Sequence, residues 1–296
     1  MSRFSVIMVF FLWANGLKGD GFESDETLKV ALSAAFVSEQ GIGVYGDLVT
    51  YLGSKLSVET ELIDGLSYKT INGMISDGAI QAGFICGLPY VLLKEKQANI
   101  EVLAAPVMKN SRYSGKAVYF SDLIVSADSD IKSISDLKGK VFVYNEKISN
   151  SGYNLPRKFF IDQKVIGKGY FKKIIRSGSH EASIKMVATG EADYSFVDSL
   201  VLEYDRYKGE KYAMNVKVIH SLGPSAIPPV IVSKEMNKTQ RDRFKKILTE
   251  MNLDPVGKKI LDNALVEKFV SVTYEHYRDI LEKWSFAKES NTPEIR

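Results

Sequence analysis

Apolar positions along the chain follow two alternating patterns, one typical of strands and one typical of helices. Four short apolar runs in the first half have the length of strands: 28–32, 58–63, 79–86 and 101–105. Apolar residues at helical spacing separate these runs, over 45–56, 71–75 and 89–96. This order predicts an α/β fold in which helices cover a parallel sheet.

The second half repeats the pattern. Strands are predicted at 140–144, 192–197, 216–219 and 230–233. Helices are predicted to begin at Gly152 and Glu181 and to cover 200–207. From Thr239 through Trp284 the tail is predicted to be mostly helical.

Two passages connect the α/β units, a β-rich run at 117–125 and a return near 220–229. Because a complete α/β unit lies between them, we predict two hinged lobes with a ligand cleft at their junction. The predicted limits are 27–119 plus 224–296 for lobe 1 and 120–223 for lobe 2. In such folds, ligands favour the carboxyl ends of strands, where helix N-termini point inward.

The N-terminus has the pattern of a secretory signal peptide. Arg3 is followed by an apolar run from Phe4 to Trp13 and by the small residues Ala14 and Gly16. The run is shorter than the roughly 20 residues that span a bilayer. We therefore predict a signal peptide at 1–16 and a periplasmic location, the alternatives being a buried N-terminal strand or a membrane anchor.

Composition narrows the class of protein. With 45% hydrophobic and 25% charged residues, the 296-residue chain resembles a soluble globular protein rather than a disordered or polytopic membrane protein. The 39 basic and 36 acidic residues nearly balance, and this net charge of +3 is too small to indicate a nucleic-acid-binding protein. The single cysteine, Cys86, excludes an internal disulfide and is expected to be a small buried residue. The three histidines are too scattered for a helical metal motif, so we expect no metal. We also expect no cofactor.

The first of three polar loop-to-helix junctions contains Ser149, Asn150 and Ser151, followed by Gly152. A helix N-terminus has unsatisfied N–H groups and a partial positive charge, which suit an anion. Gly152 would let the backbone approach a ligand. The local alternative is that Ser151 simply caps the helix.

The other two junctions follow the same logic. Ser179 is placed to cap a helix whose first turn contains His180, a donor for an oxyanion or an ordinary surface or core histidine. Asp198 follows the strand at 192–197 and precedes Ser199. Its carboxyl group would accept a proton from an oxyanion or hold a cationic group; alternatively, it caps the next helix.

Two enzyme classes also have partial signals. The segment from Gly41 to Gly46 fits G-x-G-x-x-G, with Asp64 downstream, as in dinucleotide-binding oxidoreductases. However, the predicted strand ends about eight residues before that segment, whereas the fingerprint turn follows its strand directly. Ser151, His180 and Asp198 occur in the chain order of an α/β-hydrolase triad, but no G-x-S-x-G elbow is present.

The ordered set of motifs resembles the phosphate/phosphite/phosphonate-binding branch of type 2 periplasmic binding proteins. The matching segments are 83–90, 149–156, 178–183, 190–193, 198–199 and 222–229, and the resemblance extends over 28–284. It implies a two-lobe fold that closes over a small oxyanion and delivers it to an ABC permease. It also implies a binding protein rather than an enzyme, and we expect a monomer.

Carried onto this sequence, the resemblance implies a set of ligand-binding residues: Ser149, Asn150, Ser151, His180, Tyr68, Tyr119 and Asp198. One departure concerns Pro229, which stands where the aminoalkylphosphonate binders have an acidic residue. That difference favours a smaller or uncharged-tail oxyanion over 2-aminoethylphosphonate. A sensor or scaffold that kept the fold without transport partners is the alternative within this family.

Overall fold

The computed structural model describes residues 27–33, 38–165, 169–290 and Ile295. The predicted signal peptide at 1–16 lies outside this part of the chain. Among the described residues, no helix combines the length and the apolar character needed to cross a membrane.

Eleven strands and ten helices make up the described fold. The strands are β1 (Thr27–Leu32), β2 (Glu59–Ile63), β3 (Ala82–Phe84), β4 (Ile100–Met108), β5 (Val118–Ser126), β6 (Val141–Tyr144), β7 (Lys173–Arg176), β8 (Tyr194–Asp198), β9 (Val216–Ala226), β10 (Val230–Ser233) and β11 (Val266–Ser271). The helices are α1 (Glu39–Leu56), α2 (Tyr68–Ser76), α3 (Gly87–Glu95), α4 (Leu155–Asp162), α5 (His180–Ala188), α6 (Ser199–Tyr207), α7 (Lys211–Met214), α8 (Lys238–Glu250), α9 (Pro255–Asn263) and α10 (Arg278–Glu289).

The strands form two separate sheets, and the predicted two-lobe α/β fold is confirmed. One sheet has the order β11-β4-β10-β3-β1-β2 and the other β7-β6-β8-β5-β9. The chain leaves the first sheet after β4 and enters the second at β5; it returns between β9 and β10. The linking segments are therefore 109–117 and 227–229. The residue limits given above for the lobes stay a prediction.

The expectation of a parallel sheet holds only in part: β1 is parallel to β2 and β3, and β6 is parallel to β7 and β8, but both sheets are mixed. Strand β10 runs antiparallel between β3 and β4, and β5 is antiparallel to both of its neighbours. The direction of β10 is set by its entry from the other lobe through a three-residue segment, 227–229, rather than by a helical crossover.

Two strands were missed. Strand β11 interrupts the tail that was predicted to be mostly helical, and it pairs antiparallel with β4 at one edge of the first sheet. Strand β7 lies at an edge of the second sheet. Its four residues are exposed or half-buried, and the sequence there is too short and too polar to predict a strand.

The C-terminal helix α10 contacts both lobes. Just before it, the buried Tyr277 packs edge-on against Tyr90 of α3, with ring centroids 5.1 Å apart. Farther along, the Lys158 ammonium of α4 lies 4.4 Å from the centre of the Phe286 ring. The helix thus bridges α3 of the first lobe and α4 of the second.

An ion pair between the partly exposed Arg112 and the buried Asp122 anchors the first crossing segment to the second sheet. Arg112, in a 3₁₀ turn, donates from Nη1 to Oδ2 of Asp122 at 2.8 Å and from Nη2 to Oδ1. Ser221 of β9 also donates to Asp122, at 2.6 Å. The Asp122 side chain is fully buried, and the guanidinium lies 4.5 Å from the centre of the Phe120 ring. This bidentate geometry is the strong form of a carboxylate–guanidinium contact.

We predict that Arg112→Ala lowers the free energy of unfolding by about 3 kcal/mol, because Asp122 is left buried with no cationic partner. Urea denaturation measures the change. The matched control is Arg278→Ala, which removes a solvent-exposed pair with Glu275 and is expected to cost about 1 kcal/mol or less. Equal losses in the two variants would contradict the assignment.

Candidate functional site

The seven predicted site residues lie in one buried cluster between the lobes. Each has a side chain that is at most 1% exposed: Tyr68, Tyr119, Ser149, Asn150, Ser151, His180 and Asp198. They come from the starts of α2 and α5, from the ends of β6 and β8, and from β5. Because strand ends and helix N-termini of the two sheets meet here, residues far apart in the sequence become neighbours.

His180 is the centre of this cluster. Its Nε2 lies 3.2 Å from the Ser151 hydroxyl and 3.4 Å from the Ser149 hydroxyl, while its Nδ1 accepts the backbone N–H of Asp198 at 3.2 Å. An accepting Nδ1 places the ring proton on Nε2. Burial lowers the pKa of His180 to about 3, so the ring is a neutral donor at physiological pH.

The position of His180 is set locally. Ser179 has extended backbone at the N-terminus of α5, and its hydroxyl accepts the N–H of Ala182 at 3.0 Å. The predicted cap is therefore confirmed, and it makes His180 the first residue of the helix. A side chain at that position lies beside the positive end of the helix dipole.

The loop after β6 continues into a π-helical stretch, Asn150–Asn154. The hydroxyl of Ser149 accepts the N–H of Gly152 at 3.1 Å, so Ser149 is the capping residue and the local alternative, a cap by Ser151, was wrong. The Ser151 carbonyl accepts the hydroxyl of Ser121 at 2.6 Å. Held by its backbone, Ser151 presents its hydroxyl to His180.

Asn150 fixes the loop to the crossing strands. Its amide nitrogen donates to the Tyr119 and Ser225 hydroxyls at 3.0 Å each, and its amide oxygen accepts from Asn154 at 3.0 Å. Its backbone N–H contacts Cys86, which is buried as predicted. With these groups occupied, Asn150 positions the loop; direct contact between Asn150 and a ligand stays a prediction.

Asp198 caps α6, as the local alternative predicted, since its Oδ1 accepts the N–H of Leu200 at 2.8 Å. Its Oδ2 has no hydrogen-bond partner of normal geometry among the described residues, and the same is true of the Tyr68 hydroxyl. A buried polar atom left unpaired costs about 1–3 kcal/mol, so a molecule that supplied partners to these two atoms would be stabilised by them.

The electrostatics of Asp198 follow from its position. Burial raises the pKa of Asp198 well above its ordinary value, and the nearby charges of Asp122 and Glu203 raise it further. The Leu200 N–H and the Ser151 hydroxyl act in the opposite direction. Asp198 is therefore a carboxyl group that is readily protonated and that lies near the Ser151 hydroxyl.

The lobes touch next to the site. The backbone N–H of Glu39, the first residue of α1, donates to Oε2 of Glu181 at 2.8 Å. Glu181 is only 8% exposed and directly follows His180. This bond joins the two lobes in an arrangement that covers the cluster.

The residues that support the site were not among the predicted ones. Ser121, Ser225 and Asn154 hold the Ser149–Ser151 loop, and Asn154 also donates to the carbonyl of Ile280 at 3.2 Å. The signal available in the sequence was weak: polar residues inside apolar strands, such as Ser121 within the run at 117–125. All three side chains are buried and are used inside the protein.

Neither enzyme pattern has the geometry its chemistry needs. In a catalytic triad the acid accepts the Nδ1–H of histidine, whereas here Nδ1 accepts a backbone N–H from Asp198. The segment from Gly41 to Gly46 lies inside α1 rather than in a turn between a strand and a helix.

Two lobes with a buried polar cluster at their junction define a binding protein of the periplasmic type. The chain belongs to the family described as "ABC transporter, phosphonate, periplasmic substrate-binding protein", whose model matches residues 32–277.

Three curated relatives are about one-quarter identical to this chain over the regions that match. A probable phosphite-binding protein of an ABC transporter from Prochlorococcus marinus is 24% identical over 78% of this chain and 80% of its own length. The phosphonates-binding periplasmic protein of Escherichia coli is 25% identical over 56% of this chain, which spans about half (49%) of that protein. A phosphate-import protein from Mycolicibacterium smegmatis is 27% identical over 60% of this chain and 56% of its own length.

Solved structures agree on the fold. A binding protein component of an ABC phosphonate transporter from Pseudomonas aeruginosa superposes with a TM-score of 0.79 at 18% identity, covering 88% of this chain and 86% of that one. The Prochlorococcus marinus protein in complex with methylphosphonate gives a TM-score of 0.78 at 19% identity, covering 89% and 98%. At these identities the likeness concerns the fold.

We predict that Gly152→Ala lowers stability by about 1–3 kcal/mol and disturbs the site. An added Cβ would lie 1.9 Å from Oδ1 of the buried Asn145 and 3.1 Å from Cε1 of His180. The control, Gly46→Ala on α1, meets nothing within 4 Å and is expected to stabilise the helix by about 0.5–1 kcal/mol. Thermal and urea denaturation compare the two; a neutral Gly152→Ala variant would show that the loop is not closely packed.

Proposed function

We propose that this chain is the substrate-binding component of an ABC importer and binds a small phosphorus oxyanion, such as a phosphonate, phosphite or phosphate, between its lobes. The observation that carries the proposal is the convergence of the Nε2–H of His180 and two serine hydroxyls beside the unpaired polar atoms of Tyr68 and Asp198. The whole cluster is buried.

The character of the donors supports an anion as the ligand. His180 is neutral, and the Ser149 and Ser151 hydroxyls carry no charge, so a bound oxyanion would supply the charge that strengthens each hydrogen bond. Helices α2, α5 and α6 all begin at the cluster, and their N-termini favour negative charge. Tyr68 and Tyr119 would form walls that exclude water.

The proposed role of Asp198 is to share a proton with the ligand. The proton would come either from the carboxylic acid, which burial favours, or from a monoprotonated oxyanion. In both cases one hydrogen lies between Oδ2 and a ligand oxygen, and this hydrogen satisfies the atom that has no partner among the described residues.

The relatives support the class of ligand and the transport role. Their names refer to phosphonates, phosphite and phosphate, which share a tetrahedral phosphorus and at least two oxygen atoms that accept hydrogen bonds. We propose on this basis a periplasmic location and an ABC permease as partner, with the chain acting as a monomer that performs no chemical conversion. Docking of a permease on the closed lobes would distinguish a role in transport from a role in sensing by a protein of the same fold.

Isothermal titration with phosphate, phosphite and methylphosphonate tests the site. We expect one of them to bind, and we expect Ser151→Ala and His180→Ala each to weaken that binding at least tenfold, because a hydrogen bond to a charged group contributes about 1.5–3 kcal/mol. Ser135→Ala, at an exposed serine outside the cluster, is the matched control and should bind like the wild type. Unchanged affinity in both site variants would remove the proposed site.

The pH dependence of binding tests Asp198. Because the pKa of this carboxyl group is raised, it donates to the oxyanion at low pH and repels it as a carboxylate once the pH exceeds that pKa. Asp198→Asn keeps a donor that does not titrate. The ratio of wild-type to variant affinity is therefore expected to fall with rising pH, by up to about tenfold per unit above the pKa.

The ionisation of the ligand is the same in the titrations of the two proteins, so it cancels in the ratio of their affinities. Titrations from pH 5 to pH 9 give the ratio. A ratio that rises over this range contradicts the proton-sharing role of Asp198.

A further inference from the structure

We propose that Glu181 is an interlobe latch: its carboxylate caps helix α1 of the first lobe when the lobes are closed, and this contact slows the release of a bound ligand. The role in ligand release rests on the proposed function, whereas the contact between the lobes does not. Three features of the structure carry the proposal: the N-terminus of α1, the two oxygens of Glu181, and the position of Glu181 next to His180.

The N-terminus of α1 has no side-chain cap from its own lobe among the described residues. Ser38 stands at the capping position with extended backbone, yet its hydroxyl makes no capping hydrogen bond to the helix. The first N–H of the helix, that of Glu39, donates instead to Oε2 of Glu181 at 2.8 Å. Because the first N–H groups of a helix have no partner within the helix, Glu181 supplies from the second lobe what Ser38 does not. This cap exists only while the two lobes are in contact.

The charges at this contact favour a closed arrangement. Helix α1 is 18 residues long, and the N-terminus of a helix carries a partial positive charge that stabilises a nearby carboxylate. A hydrogen bond from an N–H group to a carboxylate is also stronger than one to a neutral acceptor. Glu181 is only 8% exposed, so water and salt screen the interaction weakly.

A second carboxyl group of the second lobe lies at the same helix end. Asp205 of α6 is fully buried, and burial raises its pKa to about 6. The hydroxyl of Ser38 acts in the opposite direction, while the charge of Glu181 raises this pKa further, so all three side chains are neighbours. Of the two carboxyl groups, Glu181 is the one with a hydrogen bond of normal geometry to α1, and we therefore assign the latch to Glu181.

Both oxygens of Glu181 are used inside the protein. While Oε2 accepts from Glu39, Oε1 accepts from the Lys185 ammonium at 2.5 Å, one turn later on α5. The contact with Lys185 lies within one helix, so it does not depend on how the lobes are arranged. Glu181 therefore acts on the ligand through the position of the lobes, whereas the preceding residue, His180, offers its Nε2–H to the cluster.

The latch predicts a particular kinetic effect. A ligand enclosed between the lobes leaves when they separate, and separation breaks the bond between Glu39 and Glu181. A hydrogen bond to a charged group corresponds to about tenfold or more in an equilibrium. We therefore expect loss of the latch to raise the dissociation rate constant of the ligand about tenfold. Because Glu181 does not touch the ligand, the factor should be the same for every oxyanion that binds.

Two variants remove the bond from opposite lobes. Glu181→Ala removes the acceptor, and its matched control is Glu191→Ala, at an exposed glutamate of the second lobe. Glu39→Pro removes the donor, since proline has no N–H group and is favoured at the first position of a helix. The extended backbone of Ser38 suits a following proline. Glu39→Ala, which loses the same side chain but keeps the N–H group, is the control for the proline variant.

Exchange spectroscopy by phosphorus NMR measures the dissociation of methylphosphonate, phosphite and phosphate. We expect Glu181→Ala and Glu39→Pro each to accelerate dissociation about tenfold, and the two controls to stay within about twofold of the wild type. The double variant should release the ligand about as fast as either single variant, because both changes remove the same bond. A wild-type rate in a folded latch variant, factors that differ between oxyanions, or a hundredfold increase in the double variant overturns the proposal.

Hydrogen exchange in the ligand-free protein tests the contact by itself. The amide hydrogen of Glu39, followed by NMR, is expected to exchange at least tenfold faster in Glu181→Ala than in the wild type and in Glu191→Ala. Equal exchange rates overturn the latch even if an oxyanion binds. If none of the three oxyanions binds, the proposed function fails, whereas faster exchange at Glu39 still supports the latch. Should Glu181→Ala fail to fold by circular dichroism, Glu181→Gln takes its place in this measurement with a smaller acceleration expected, and an unchanged rate overturns the latch.

Discussion

The imidazole of His180 receives the backbone N–H of Asp198 on one nitrogen and faces two serine hydroxyls with the other. This contact determines the chemistry of the cluster. With Nδ1 occupied as an acceptor, the ring proton must lie on Nε2, and burial prevents a second proton from binding at physiological pH. The result is an array of neutral donors whose directions are fixed before any ligand arrives. Recognition then depends on the positions of these donors and on the charge of the ligand, and little on the net charge of +3 of the whole chain.

The array is maintained by parts of the chain that have no contact with His180. Asn150 ties the loop to β5 and β9, and Ser121 holds the Ser151 carbonyl. The same strands are locked to the crossing segment by Arg112 and Asp122. The elements that carry the chain between lobes are therefore also the elements that support the binding loop. A movement of one lobe relative to the other has to pass through this hydrogen-bonded junction.

Local signals in the sequence were sufficient for the starts of α5 and α6. Ser179 and Asp198 are caps that bond to N–H groups two or three residues away, so a short motif contains the whole interaction. The cap at Ser149 rather than Ser151 was not predictable, because a π-helical turn shifts the start of the helix by two residues. Likewise, the direction of β10 depends on which lobe the chain comes from, and β11 is specified by its pairing with β4. Strand pairing and the contact between α1 and Glu181 depend on residues far apart in the sequence, so they could not be predicted from local patterns.

The hydrogen bond from Asn154 to the carbonyl of Ile280 has a consequence for biosynthesis. The π-helical stretch that follows Ser149 is anchored to a helix that begins only at Arg278, near the end of the 296-residue chain. During synthesis or export from the N-terminus, both sheets are present before this last anchor emerges. The recognition loop therefore acquires its full set of restraints only after residue 280 has been synthesised, and a product terminated before that residue lacks the last of them even when its sheets are intact.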